Sequence, residues 1–181
     1  MTKVAVLVGS LRKDSINRKF AEALGKLAAG KLEFQFVELG DLPLYNDDLW
    51  ENPPAAVTRF KDAIAAADAV LFVTPEYNRT YSPVIMNAIH WGSRPWGKSV
   101  WPNKPSAIVG ATIGAIGTAA AQGALRGLVA GVGTILMTQP EVYFTYKPEL
   151  FDAHGAVANE ETQAFLSNFL DKFAAWIDKT K

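Results

Sequence analysis

Five short apolar segments recur along the chain, at 4–8, 32–39, 69–74, 107–111 and 134–138. They are rich in valine, isoleucine, leucine and phenylalanine. Most of them lack the strict alternation that marks a strand with one solvated face. This pattern predicts five strands that are buried on both faces of a parallel sheet.

The stretches between these segments have helical spacing. Ile16, Phe20, Leu24 and Leu27 fall on one helix face, and apolar residues between 165 and 177 repeat in the same way. Further helices are predicted near 54–67, 82–93 and 119–131. Strands alternating with helices predict a doubly wound α/β sheet with right-handed crossovers. The segment 95–105, which contains proline and tryptophan, is interpreted as one surface excursion.

Composition narrows the class of protein. The length of 181 residues predicts a single domain over 1–181, large enough for a real core. Eighteen basic residues balance eighteen acidic ones, so no broad charge favours nucleic acid or an anionic membrane. The absence of cysteine excludes disulfides and thiolate chemistry. The start of the chain lacks a membrane span and a signal pattern, which predicts a cytoplasmic protein.

Ligands of doubly wound sheets bind beyond the carboxyl ends of the strands, so the loops after strands one, three and four are the candidate site. The first of these, GSLRKDSIN at 9–17, combines a helix start with the hydroxyls of Ser10 and Ser15 and the guanidinium of Arg12. Ser15 is the predicted N-cap of the helix. The loop suits a dianionic phosphate, although a simple capped turn explains its composition equally well.

The loop after strand three, PEYN at 75–78, places an acid, an aromatic ring and an amide side by side. This mixture suits a planar heteroaromatic ring with polar edges. The alternative is a rigid turn in which Tyr77 packs on a neighbour and Asn78 bonds the local backbone. The loop after strand four, GATIGAIGT at 110–118, is rich in small residues that allow close approach of a ligand or of a helix. Together the three loops outline a mononucleotide with a flat head, and flavin mononucleotide (FMN) fits.

These motifs, with DLPLYNDDL at 41–49 and the helix sequence MNAIHW, resemble the NADPH-dependent FMN reductase family of quinone, azo-dye and chromate reductases. The resemblance implies a flavodoxin-like three-layer sandwich with a five-stranded parallel sheet in the order 2-1-3-4-5. It also implies where FMN binds. The residues expected at the phosphate are Ser10, Leu11, Arg12, Ser15, Ile16 and Asn17; those expected at the ring are Pro75, Glu76, Tyr77, Asn78, Thr112 and Gly114.

The resemblance further implies ping-pong transfer from NADPH or NADH through FMN to a small-molecule acceptor, in a homodimer or homotetramer. The cofactor carries the reactivity, so no residue is assigned as catalytic. Two distant histidines and no cysteine give no support for a metal site. The sequence departs from the family pattern at Val84, Met86, His90, Thr118 and Ala120, which concerns the substrate pocket and the subunit contacts.

Three other functions are weighed against this one. A flavodoxin-type electron carrier is typically strongly acidic, whereas this chain has no net charge. A phospho-receiver needs acidic residues after strand one and a lysine after strand five, where Gly9, Ser10, Gln139 and Pro140 stand. A hydrolase of the α/β type needs a GxSxG motif, which is absent.

Overall fold

The predicted alternation of strands and helices is confirmed by the computed structural model, which describes residues 1–181. The strands are β1 (Thr2–Val8), β2 (Leu32–Phe36), β3 (Ala69–Val73), β4 (Pro105–Thr112), β5 (Ile135–Leu136) and β6 (Tyr143–Thr145). The helices are α1 (Ile16–Leu27), α2 (Ala55–Ala66), α3 (Pro83–Gly92), α4 (Ala119–Gly131) and α5 (Glu160–Thr180). Short 3-10 turns lie at Asp47–Glu51 and Pro148–Leu150.

The strands form one parallel sheet in the order β2-β1-β3-β4-β5, as the resemblance implied. The fifth position of the sheet is divided between two short strands. β5 pairs with Pro105 and Ser106 at the start of β4, and β6 pairs with the last residues of β4, from Gly110 to Thr112. Pro140 lies between them and has no N–H to donate to a ladder. The sequence predicted β5 but missed β6.

The sheet is covered on both faces, as the buried central strands β1, β3 and β4 require. Val4 and Val6 of β1 belong to a core shared with α1 and α5. Ala5 and Leu7 of the same strand belong to a second core shared with α2, α3 and α4. Because successive strand residues point to opposite faces, the central strands β1, β3 and β4 contribute to both cores, which gives three layers.

The interpretation of 95–105 as a surface excursion is wrong at Trp101 and at Pro105, where β4 begins. Trp96 is 91% exposed, but Trp101 is completely buried. The indole Nε1 of Trp101 donates to the carbonyl of Ile89 at 3.0 Å. A Cβ added to Gly92 would lie 2.4 Å from the indole, so the glycine leaves the slot that Trp101 fills.

Side chains cap three of the helices at their first turn. Ser15 accepts from Arg18 N at 3.1 Å, which confirms its predicted role, and Ser82 caps α3 while Asn159 caps α5. The helices pack against the sheet through their apolar faces.

None of the helices has the length and apolar character needed to span a bilayer.

Candidate functional site

The three loops singled out by the sequence meet at the carboxyl edge of the sheet. They enclose a cleft of about 190 Å³. Its lining residues are Ser10, Arg12, Ser15, Ile16, Asn17, Pro75, Glu76, Tyr77, Ala111, Thr112 and Ile113. Nine of the twelve predicted residues are among them. The other three, Leu11, Asn78 and Gly114, belong to the same loops but do not line the cleft.

Gly9 brings the first loop close to the third strand and the helix that follows it. Its N–H continues the β1–β3 pairing by donating to Val73 O at 2.8 Å. A Cβ at this position would lie 2.5 Å from Ser82 Oγ and 2.7 Å from Ile85 Cγ1. Any side chain here would therefore push the first loop away from α3 and open the cleft.

The first loop presents unpaired hydrogen-bond donors. The backbone N–H groups of Ser10, Leu11, Arg12, Ile16 and Asn17 have no acceptor within the chain. The guanidinium of Arg12 forms no ion pair. Donors of this kind at a helix start, where the helix dipole is positive, form a site for an anion. We call residues 9–17 the phosphate turn.

Asn17 ties the phosphate turn to the end of β4. Its Oδ1 accepts from Ala111 N at 2.9 Å, and its Nδ2 donates to Ala111 O at 2.9 Å. The residue is only 2% exposed. This paired contact sets the spacing between the phosphate turn and the loop after β4, and it leaves one N–H of the carboxamide for a ligand. The sequence indicated Asn17 as a cofactor ligand but did not indicate this contact.

Glu76 connects the second loop to α4. Its Oε2 accepts from Ala121 N at 3.1 Å, in the first turn of the helix. Thr118, at the N-cap position, makes no side-chain cap bond, and the first turn of α4 contains no acid. Glu76 therefore supplies the cap and the favourable negative charge from a neighbouring loop. In doing so it anchors the backbone of 75–77 at the cleft.

The residues after Glu76 form a tight hairpin. Tyr77 and Thr80 exchange two backbone hydrogen bonds of 3.0 Å each. Asn78 and Arg79, between them, have φ values of 51° and 65°, as a type I′ turn requires. The hairpin holds Tyr77 at the cleft with 47% of its surface exposed, so an aromatic face is available to a planar ligand.

Thr118 is one of the departures from the family pattern, and its backbone conformation is one that favours glycine. Its φ of 69° is left-handed, a conformation that strains a β-branched residue and that glycine adopts freely. The side chain occupies space left by Gly110, where an added Cβ would lie 2.4 Å from Thr118 Oγ1. The hydroxyl also accepts from Gln122 Nε2 at 2.9 Å. Packing and one hydrogen bond thus offset part of the strain.

The helix sequence MNAIHW of α3 holds the segment 41–49 through hydrogen bonds to its backbone. Asn87 Oδ1 accepts from Tyr45 N at 2.8 Å, and Asn87 Nδ2 donates to Pro43 O at 2.9 Å. Trp91 Nε1 donates to the same carbonyl at 2.8 Å. His90, in contrast, is exposed and meets the ring of Tyr45 edge-on at 6.0 Å.

A second cluster of polar side chains lies on the surface between α4 and β6. Arg126 Nη1 and the Tyr143 hydroxyl each lie 2.6 Å from Glu141 Oε1. The hydrogen bonds from Tyr143 and Arg126 hold the pKa of Glu141 below its ordinary value. None of the three residues lines the cleft.

The fold and the cleft define a flavodoxin-like protein with an anion-binding turn beside a surface for a flat ring. The model of the NADPH-dependent FMN reductase family matches residues 2–149. The chain belongs to that family. The resemblance inferred from its motifs is confirmed.

Similar proteins extend over the whole chain. A 2-hydroxy-1,4-benzoquinone reductase from Burkholderia sp. is 50% identical over 175 residues, which cover 97% of this chain and 96% of the relative. A quinone reductase from Pseudomonas putida is 49% identical, with coverage of 96% and 94%. The solved structure of the flavoenzyme NAD(P)H:(acceptor) oxidoreductase FerB from Paracoccus denitrificans has a TM-score of 0.98, with 49% identity and 99% coverage of both chains.

The hairpin geometry predicts that Arg79→Gly raises the free energy of unfolding by up to about 1 kcal/mol. The left-handed conformation costs a residue with a side chain about 1–2 kcal/mol, and glycine avoids this cost. Glycine also has more conformational freedom in the unfolded chain, which offsets about 0.5–1 kcal/mol of the gain in stability. The ion pair with Glu76 spans 3.6 Å and Arg79 is largely exposed, so its loss matters little. Urea denaturation of the flavin-free protein measures the change.

Lys13→Gly is the matched control for Arg79→Gly. Lys13 is also an exposed loop cation, but its φ is not positive. Glycine at this position adds only conformational freedom in the unfolded chain, so the free energy of unfolding of the control should fall by about 0.5–1 kcal/mol. An equal decrease in the free energy of unfolding of the two variants would contradict the presence of backbone strain at Arg79.

Proposed function

We propose that the protein is an FMN-dependent oxidoreductase that uses NADPH or NADH to reduce quinones and similar small-molecule acceptors. The observation that carries this proposal is the joining of the donor-rich phosphate turn and the Tyr77 hairpin in one cleft. Family membership supports FMN and NAD(P)H, and the names of the relatives support a quinone as the acceptor.

The residues of the cleft fit the two ends of FMN. The unpaired N–H groups of the phosphate turn, with Arg12 and the hydroxyls of Ser10 and Ser15, match a dianionic phosphate. Leu11, Ile16 and Asn17 contribute through backbone donors and the spare carboxamide N–H.

At the other end of the cleft, Pro75, Glu76, Tyr77 and Asn78 would contact the isoalloxazine. The N–H groups of Glu76 and Asn78 have no acceptor within the chain and suit its polar edge. Thr112 and Gly114 would lie beside the ring. An added Cβ at Gly114 would meet only Thr112 Oγ1, at 4.0 Å, so packing within the chain does not require this glycine. The open space at Gly114 leaves room for close approach of a ligand.

The chemistry that bound FMN would supply is the uptake of a hydride from the nicotinamide and the transfer of electrons to the acceptor. The chain binds and orients the cofactor, and no side chain needs to act as acid, base or nucleophile. Breadth among acceptors would follow, since no side chain of the cleft is needed to activate a quinone, an azo dye, chromate or free flavin.

The purified protein with bound FMN should therefore consume NADPH or NADH continuously when a benzoquinone is present. Removal of the flavin should abolish consumption, and added FMN should restore it. Absorbance at the nicotinamide band measures the rate. A protein that retains FMN but turns over neither donor would instead be an electron carrier of the flavodoxin type, and the proposed activity would be wrong.

Arg12→Ala should weaken FMN binding by about 1.5–3 kcal/mol, because a hydrogen bond from a charged group to the phosphate is lost. The measurement is calorimetric titration of the flavin-free variant. Lys13→Ala is the control, since Lys13 is the adjacent exposed cation and does not line the cleft. An unchanged affinity in Arg12→Ala would show that Arg12 is merely solvated.

We further propose that residues 1–181 are one FMN-binding domain, that the protein works in the cytoplasm, and that it forms a homodimer or homotetramer. Exposed apolar side chains at Met86 and Trp96 support association. So does a cavity of about 340 Å³ between α3 and α4, lined by Tyr45, Ile89, His90, Ser93, Arg94, Leu128 and Val132. Ile85, Trp91 and Trp101 are core residues and contribute nothing to such a surface.

Light scattering at micromolar concentration should give two or four times the chain mass of 19.6 kDa. The physical reason is that burial of Met86 and Trp96 between subunits removes apolar surface from water. A mass of one chain would contradict association.

A further inference from the structure

A second cavity of about 210 Å³ lies on the opposite side of the phosphate turn from the cleft. Its lining residues are Val8, Ser10, Leu11, Arg12, Arg18, Val37, Glu38 and Leu39. Ser10 and Arg12 line both spaces. A ligand bound at the phosphate turn can therefore extend into this cavity without crossing the protein interior.

The cavity contains cationic donors that the protein itself does not use. Arg18 is directed by an ion pair between its Nε and Glu22 Oε1 at 2.6 Å and by the ring of Phe36, 4.2 Å from its guanidinium carbon. Its terminal nitrogens have no acceptor within the chain, and Arg12 forms no ion pair. Two guanidinium groups on one cavity, of which Arg18 is held in place, suit a second phosphate.

The cavity also offers a carboxylate from the loop after β2 and an apolar side chain from the phosphate turn. Glu38 Oε1 accepts from Gly40 N at 2.7 Å, whereas Oε2 has no partner within the chain. Leu11 is 57% exposed, and its Cδ2 would lie 3.4 Å from a Cβ added to Gly40. The loop after β2 thus closes against the phosphate turn. The free carboxylate oxygen suits ribose hydroxyls, and Leu11 offers an apolar surface for a base.

We propose that this cavity is a subsite for the adenylate half of flavin adenine dinucleotide (FAD), so that the protein binds FAD as well as FMN. The inference rests on the proposed flavin site. The phosphoryl group that the two flavins share binds at the phosphate turn, and the second phosphate lies between Arg12 and Arg18. The ribose hydroxyls donate to Glu38, and the adenine lies over Leu11.

Calorimetric titration of the flavin-free protein with FMN and with FAD tests the subsite. In the natural sequence the dissociation constant for FAD should lie within about tenfold of that for FMN. Arg18→Ala and Glu38→Gln should each weaken FAD binding at least about fivefold and change FMN binding less than about twofold, because only the adenylate half contacts these side chains. Arg12→Ala should weaken both flavins.

Lys19→Ala is the matched control, an exposed cation on the same helix that lines neither space. It should change neither affinity. Binding of FMN with no binding of FAD would overturn the subsite, and so would FAD binding that Arg18→Ala and Glu38→Gln leave unchanged, since the adenylate would then lie in solvent. Failure of FMN itself to bind would instead overturn the flavin site on which the proposal rests.

Discussion

The site depends on a set of backbone N–H groups that the fold leaves without partners. They lie where β1 ends and α1 begins, between Ser10 and Asn17. Ser10, Ile16 and Asn17 are buried or partly buried, where an unpaired donor is costly, and the donors at the helix start carry the positive end of the dipole. An anion satisfies both conditions. The whole chain has no net charge, so this attraction is local to the turn.

The remaining loops are held in fixed positions relative to that turn. Asn17 joins it to Ala111, the missing side chain of Gly9 lets it pack against Ser82, and Glu76 joins the ring-binding loop to Ala121. A ligand with a phosphate at one end and a ring at the other benefits from such fixed spacing, because preorganised contacts spare the cost of ordering them on binding. The family match of residues 2–149 agrees with this arrangement.

The sequence predicted what local pattern determines and missed what long-range contacts determine. Apolar runs and helical spacing predicted five strand positions and five helices, and strand ends indicated the loops that form the cleft. β6 has only three residues, and it rejoins β4 in the same parallel direction as β5 after the intervening segment 137–142, a detour that no periodicity shows. The bonds between Asn17 and Ala111 span 94 residues of sequence. The burial of Trp101 depends on the absent side chain of Gly92, nine positions before it.

The most direct measurement of the central claim compares FMN with riboflavin, which has the same ring and lacks the phosphate. Titration of the flavin-free protein should show riboflavin binding at least about 100-fold more weakly, since several charge-assisted hydrogen bonds at the phosphate turn are absent. Equal affinities for the two flavins would contradict the account, because the unpaired donors after β1 would then contribute nothing to binding.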